Sequence, residues 1–408
     1  MSYIDCCDFS ECTRCGECLE KCPVLQLDHK TAVEEISRLL EGKPTERVLQ
    51  ECTLCYRCNN YCPVEGLRPY ELIMERVSTQ KDRKESASCL ATYMVNGMPI
   101  SLWSDNYRRL DAEEINILKK WYEPPEKSKE ALWVGCVGRV LCKDIENSKA
   151  LAELPKYGPV DCCCGELAYR MGEWDTYTQQ IEKTYRRLEK LEIDRLVCYC
   201  GSCYYFLSNV LPKVYKKPLP FKLVSMYEWL LEKVKGGDIE VTNPIALKMA
   251  VQDSCYMSGI GGDFYDVLRE LYKSTGIDTV ELAHNRDYGL SCGLASAARN
   301  YNLIDWVVNI LKKHREMREV NMSDAVCNCP GCDIMLNMPV LKQLYGIKEY
   351  HHAPDLLLSA FGDEVITGST RMHHMVYRNI VERLPLLLAQ VKRPLPKIKE
   401  GEENYSLW

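Results

Sequence analysis

The chain has 408 residues, 46% of them hydrophobic and 27% charged, which is ordinary globular composition with room for two or three domains. Its net charge of −6, without any Lys/Arg-rich run, gives no reason to expect nucleic acid, and no apolar window is long enough to span a membrane. Twenty-four cysteines in so long a chain, opening without a signal peptide, argue for metal-binding thiols in a reducing cytoplasm rather than for a disulfide scaffold.

The first block, residues 1–80, carries Cys12-x-x-Cys15-x-x-Cys18-x-x-x-Cys22-Pro23 and then Cys52-x-x-Cys55-x-x-Cys58-x-x-x-Cys62-Pro63. This is the run of a two-cluster ferredoxin, in which the fourth cysteine of each run serves the other cluster. Cys12, Cys15, Cys18 and Cys62 are therefore expected to hold one [4Fe-4S] cluster, and Cys52, Cys55, Cys58 and Cys22 a second. Zinc is the competing reading, but it needs only four ligands and leaves the trailing Cys-Pro unexplained. Between the runs, Thr31-Ala32-Val33-Glu34 reads as a capping box opening a short amphipathic helix with Ile36, Leu39 and Leu40 on one face and Gly42 as its stop.

Residues 81–130 read as a charged, helix-prone connector, interrupted by Met98-Pro99-Ile100-Ser101-Leu102-Trp103. From residue 131 the chain repeats itself. Asp161-Cys162-Cys163-Cys164-Gly165 is followed by Cys200-Gly201-Ser202-Cys203, and Ser291-Cys292-Gly293 by Cys329-Pro330-Gly331-Cys332. Thirty-five residues lie between Cys164 and Cys200, and 36 between Cys292 and Cys329. Cys136, after Leu132-Trp133-Val134, has its counterpart in Cys255, after Met249-Ala250-Val251. The units are placed at 131–240 and 241–370, with a tail at 371–408 that is extended from Arg393. Each alternates short strands such as Arg195-Leu196-Val197 and Asp324-Ala325-Val326 with amphipathic helices, through Tyr177, Ile181, Tyr185 and Leu188 in the first and Ile304, Val307, Val308 and Leu311 in the second. The expected fold class is α+β / α/β: a helical ferredoxin-like domain, then two α/β units with small parallel sheets. The cysteines then fall at strand ends and helix starts, where the helix dipole favours thiolate.

The order Cys, then Cys-Cys-Gly, then Cys-x-x-Cys resembles the cysteine-rich component of heterodisulfide reductase, and the first block resembles the ferredoxin-type component of the same family. The whole is similar to the form of that enzyme in which the two are fused in one chain. The resemblance implies that Cys136, Cys163, Cys164, Cys200 and Cys203 hold a noncubane [4Fe-4S] cluster whose exposed iron takes a substrate sulfur. In the second unit Ser291 replaces the first cysteine of the pair, leaving Cys255, Cys292, Cys329 and Cys332 for an ordinary cluster, a smaller one or none. Cys6, Cys7, Cys89, Cys142, Cys162, Cys198 and Cys327 are given no role.

Gly259-Ile260-Gly261-Gly262 lacks nucleotide-binding spacing, and no flavin domain fits the remaining length. The expected function is the catalytic or terminal iron-sulfur subunit of a heterodisulfide-reductase-like complex acting on a low-molecular-weight disulfide. Its partners are flavoprotein or cytochrome subunits, through which any membrane attachment would come. The alternative is a non-catalytic wire between an acyl-CoA, lactate or glycolate dehydrogenase, or a flavoprotein, and quinone. A zinc-rich structural protein is a third reading. The pairs His351-His352 and His373-His374 are expected to be solvated.

Overall fold

Two four-stranded sheets, each entirely parallel, form the frame of the molecule. The computed structural model describes residues 1–79, 93–96, 100–295 and 303–385. The expectations for Met98-Pro99, Cys89, the Ile304 side chain and the tail from Arg393 lie outside the described residues.

The first sheet has the order β2-β1-β3-β4, with β1 Glu130–Trp133, β2 Lys156–Tyr157, β3 Arg195–Cys198 and β4 Lys222–Ser225. The second repeats it as β6-β5-β7-β8, with β5 Leu247–Gln252, β6 Ile277–Val280, β7 Asp324–Cys327 and β8 Glu349–His352. The central strands read as short apolar runs because helices cover both faces, as parallel pairing requires. Cys198 and Cys327 end β3 and β7 as fully buried core residues.

In both sheets the strands deliver cysteines to the same end. Cys136 enters the helix Gly135–Val140 just after β1, and Cys255 follows β5. Cys200 and Cys329 are N-caps of the helices Gly201–Tyr205 and Pro330–Leu336. Gly201 and Pro330 open these helices, and Cys203 and Cys332 lie inside the first turn.

The helix between the ferredoxin runs is His29–Leu40, and its cap is Asp28, which accepts from the Thr31 amide at 3.0 Å. Thr31 itself is inside the helix, so the expected capping box starts three residues too late; Asp is as strong a cap as Thr. Ala32, Ile36 and Leu39 are buried on one face. Glu35 is buried too, accepting from the amides of Glu46 and Val48 at 2.8 Å and Arg47 at 3.3 Å. This carboxylate anchors the start of the helix Val48–Glu51, which leads into Cys52.

Two reciprocal contacts join the units. A Cβ added to Gly201 would collide with the Tyr256 ring, and one added to Gly259 with the Tyr205 ring. Beyond the second sheet, the helix Gly368–Glu382 packs on Leu102–Tyr107, with Asn379 Nδ2 donating to Asn106 Oδ1 at 2.7 Å and Arg383 to Asp105 at 2.7 and 2.8 Å. Residues 371–382 are therefore helix. Among the histidines, His352 and His373 are buried, the latter paired with Asp333 at 2.8 Å. The solvated reading is wrong for these two because β8 and the helix Gly368–Glu382 turn them inward.

Candidate metal centre

The ferredoxin loops put left-handed backbone at matching places. Arg14 and Gly16 have φ +57° and +77°, and Leu54 and Tyr56 have φ +55° and +67°, at the same positions of the two runs. Alternating hands of this kind turn backbone N–H groups toward one side, a concavity suited to anions. The Leu54 amide donates to Cys52 Sγ at 3.4 Å.

The thiols fall into two groups. Cys18 has Cys62, Cys12 and Cys15 as charged neighbours, whereas Cys22 has Cys55 and Cys52. Cys58 has Cys52, Cys18, Cys55 and Cys22 as charged neighbours, so the groups adjoin. Burial, and then the charges of these neighbours, pushes the Cys18 thiol up and the Cys22 thiol up to about 12. Four thiolates so enclosed repel one another and need a cationic core to coexist, so the donor set fits iron-sulfur groups.

In the first cysteine-rich unit five thiols line one cavity as a chain of neighbours, Cys163 beside Cys136 and Cys164, Cys164 beside Cys203, and Cys203 beside Cys200. Its neighbours Cys136 and Cys164 hold Cys163 well below the usual thiol range, while those two are raised. Gly135, at φ +69°, is required here: a Cβ would stand 3.0 Å from Cys203 Sγ. Buried Arg139 fixes the cysteine turn, donating to the Val160 carbonyl at 3.2 Å and the Cys162 carbonyl at 2.6 Å. Cys162 is fully buried, its thiol raised to about 12 by burial, and stands outside the chain.

The second unit repeats the arrangement with one atom changed. Its neighbour Cys332 holds the Cys292 thiol low, and Cys332 also stands beside Cys329. Cys255 neighbours Cys329 and Cys292, and burial raises its thiol to about 12. Ser291 is 3% exposed. All nine cysteines and Ser291 line one cavity of about 110 Å³, whose remaining wall includes Met94, Trp103, Leu167, Leu294 and Met335. Among the described residues no three His, Cys, Asp or Glu side chains close tightly on a single ion. Thiols that bind different irons of one cluster have no need to.

Sequence reasoning missed Arg57 and Arg170. Both are buried, at 1% and 4% exposure. Only their place beside Cys58 and six residues after Cys164 hinted at a role.

Residues 8–66 match the 4Fe-4S dicluster domain, and residues 131–208 the cysteine-rich domain. The chain is thus similar to iron-sulfur subunits of oxidoreductases. This iron-sulfur protein is 23% identical over 347 residues to EtfAB:quinone oxidoreductase of Syntrophomonas wolfei subsp. wolfei, covering 80% of the chain and 42% of that relative. It is 21% identical over 179 residues to one component of the dihydromethanophenazine:CoB--CoM heterodisulfide reductase of Methanosarcina barkeri, covering 43% of the chain and 44% of the relative. One component of the fumarate reductase (CoM/CoB) of Methanothermobacter marburgensis is 22% identical over 203 residues, covering 50% and 39%. The chain thus spans less than half the length of these curated relatives. No helix among the described residues is long and apolar enough to cross a membrane.

Proposed function

We propose that this chain carries electrons singly through its two ferredoxin runs to a terminal centre held by Cys136, Cys163, Cys164, Cys200 and Cys203, where a low-molecular-weight disulfide is cleaved within a heterodisulfide-reductase-like complex. The observation that carries this reading is the five neighbouring thiols of the first unit on one cavity wall, one more than an ordinary four-cysteine cluster takes. In this reading Cys12, Cys15, Cys18 and Cys62 hold one [4Fe-4S] group and Cys22, Cys52, Cys55 and Cys58 the other. Cys255, Cys292, Cys329 and Cys332 hold a further one. When bound, the terminal group supplies one-electron steps and an open iron for a sulfur ligand.

The chain's own residues do the rest. Arg139 holds the turn that presents Cys163 and Cys164. Gly165 donates its amide to Cys163 Sγ at 3.4 Å, stabilising negative charge there. The apolar wall keeps water from the thiols. Cleavage of the disulfide takes two electrons and two protons and yields two thiols, the electrons coming from a flavoprotein or cytochrome partner.

A second reading, a non-catalytic wire toward quinone, is favoured by the EtfAB:quinone oxidoreductase alignment over 80% of the chain. Single-turnover assays of the dithionite-reduced protein separate the two. Thiol release from a disulfide panel, abolished by Cys164→Ala with the ferredoxin EPR signals intact, supports the first. Turnover of no disulfide, with electron transfer to a menaquinone analogue through a partner complex, selects the wire. Iron near four per chain, or zinc in its place, would sink both, since three or four clusters require roughly twelve to sixteen iron atoms.

A further inference from the structure

The seam between the second ferredoxin run and the cavity is built around two buried arginines. Arg170 donates from Nε and Nη2 to the Leu54 carbonyl at 3.2 and 2.7 Å, from Nη1 to Glu166 at 2.9 Å, and from Nη2 to Cys255 Sγ at 3.1 Å. Leu54 lies between Cys52 and Cys55. One guanidinium therefore touches both the loop of one thiol group and a thiol of another.

Arg57, next to Cys58, approaches the same place from the other side. Its Nη2 donates to the Arg286 carbonyl at 3.4 Å, while Nε and Nη1 have no hydrogen-bond partner. Burial works against its charge, and the neighbours that favour it are Cys55, Tyr265 and Cys255. A buried cation with unpartnered nitrogens is costly unless anionic groups face it. The seam is sealed by Asn60 Nδ2, which donates to the Ser258 carbonyl at 2.6 Å, and by the Tyr61 hydroxyl, which donates to the Asp287 carbonyl. In the first unit, by contrast, Arg139 places Nη1 and Nη2 on the carbonyls of its own cysteine turn.

Resting on the reading that both ferredoxin runs and the second thiol set hold iron-sulfur groups, we infer that electrons enter the cavity at Cys255, and that Arg170 and Arg57 are positioning residues that set the potentials on both sides of this junction. One electron leaves the group on Cys22, Cys52, Cys55 and Cys58, which is oxidised by one. It reduces by one the group on Cys255, Cys292, Cys329 and Cys332, with no bond made or broken. The four thiols that Ser291 leaves suit a relay, since a relay needs no open ligand position. The unit that looks degenerate is then the entrance, and the complete unit lies beyond it. A fixed cation stabilises the reduced, more negative state of a neighbouring group and so raises its potential.

Potentiometric titration of the anaerobically purified full chain, followed by EPR, tests this. Cys55→Ser and Cys255→Ala first assign the two signals. Arg170→Gln is expected to move both to more negative potential and leave the Cys12 and Cys136 sets unmoved, with Arg170→Lys restoring most of the shift. Glu166→Gln, which removes the anion paired with Arg170, is expected to move them the opposite way, and it decides the matter if Arg170→Gln fails to fold. In freeze-quench reduction the Cys255-dependent signal is expected to precede the Cys136-dependent one. Unmoved potentials in both variants, the reverse order of reduction, or a Cys255→Ala chain that keeps all its iron and signals overturns the inference. Iron missing from the ferredoxin runs would instead sink the reading on which it rests.

Discussion

Ser291 Oγ accepts a hydrogen bond from the backbone amide of Gly293 at 3.2 Å. Cys163 Sγ accepts one from Gly165 at 3.4 Å in the matching turn, with Gly165 and Gly293 both left-handed at φ +78° and +85°. The replacement of sulfur by oxygen therefore changes the donor atom and leaves the turn intact. Ser291→Cys is expected to fold normally and to give the second site an EPR signal like that of the first, and Cys163→Ser to do the reverse. Two native signals that are already equivalent would show that the serine serves as a ligand.

Cys55 and Cys52 are the thiols whose charges act on Cys22. Cys22→Ser is accordingly expected to alter the same EPR signal as Cys55→Ser. If it alters the signal lost in Cys15→Ser, the crossing fails.

The Tyr205 ring fills the space above Gly259. Gly259→Ala forces that ring to move and is expected to cost about 1–3 kcal/mol by overpacking. Urea unfolding of the holoprotein measures it. The double variant with Tyr205→Leu should recover part of the loss, and no recovery would mean that the ring is not the obstacle.

Asp105 is pushed up by burial, yet hydrogen bonds from Arg383 and Tyr93 outweigh this and hold its carboxyl below the usual range. A carboxylate with a depressed folded value adds stability that is present above its unfolded value of about 3.9 and is lost as pH falls through the folded one. Asp105→Asn is expected to lower stability by a constant amount from about pH 8 to about pH 5, with the deficit shrinking below about pH 4. A deficit that does not change with pH would assign the effect to packing.

Much of the site was legible because ferredoxin ligands and strand-end cysteines are encoded by spacing, and the parallel strands by short apolar runs. The His29–Leu40 helix was legible but misplaced at its start, since Asp28 and Thr31 both carry a cap's chemistry. Arg170 was invisible for a different reason. An arginine near the end of a short helix reads as a solvated charge, and its partners Leu54 and Cys255 are far away along the chain. The sharing of one cavity by both units had no local signature either, because it depends on how two sheets face each other.

The reciprocal seating of Tyr205 over Gly259 and Tyr256 over Gly201 also orders events in time. The first unit is synthesised complete, but its tyrosine has no seat until residue 259 exists. Its five thiols meanwhile face a wall that Cys255, Cys292 and Leu294 have yet to build. The chamber around the thiols of the first unit is therefore walled only once the chain has been made past Leu294.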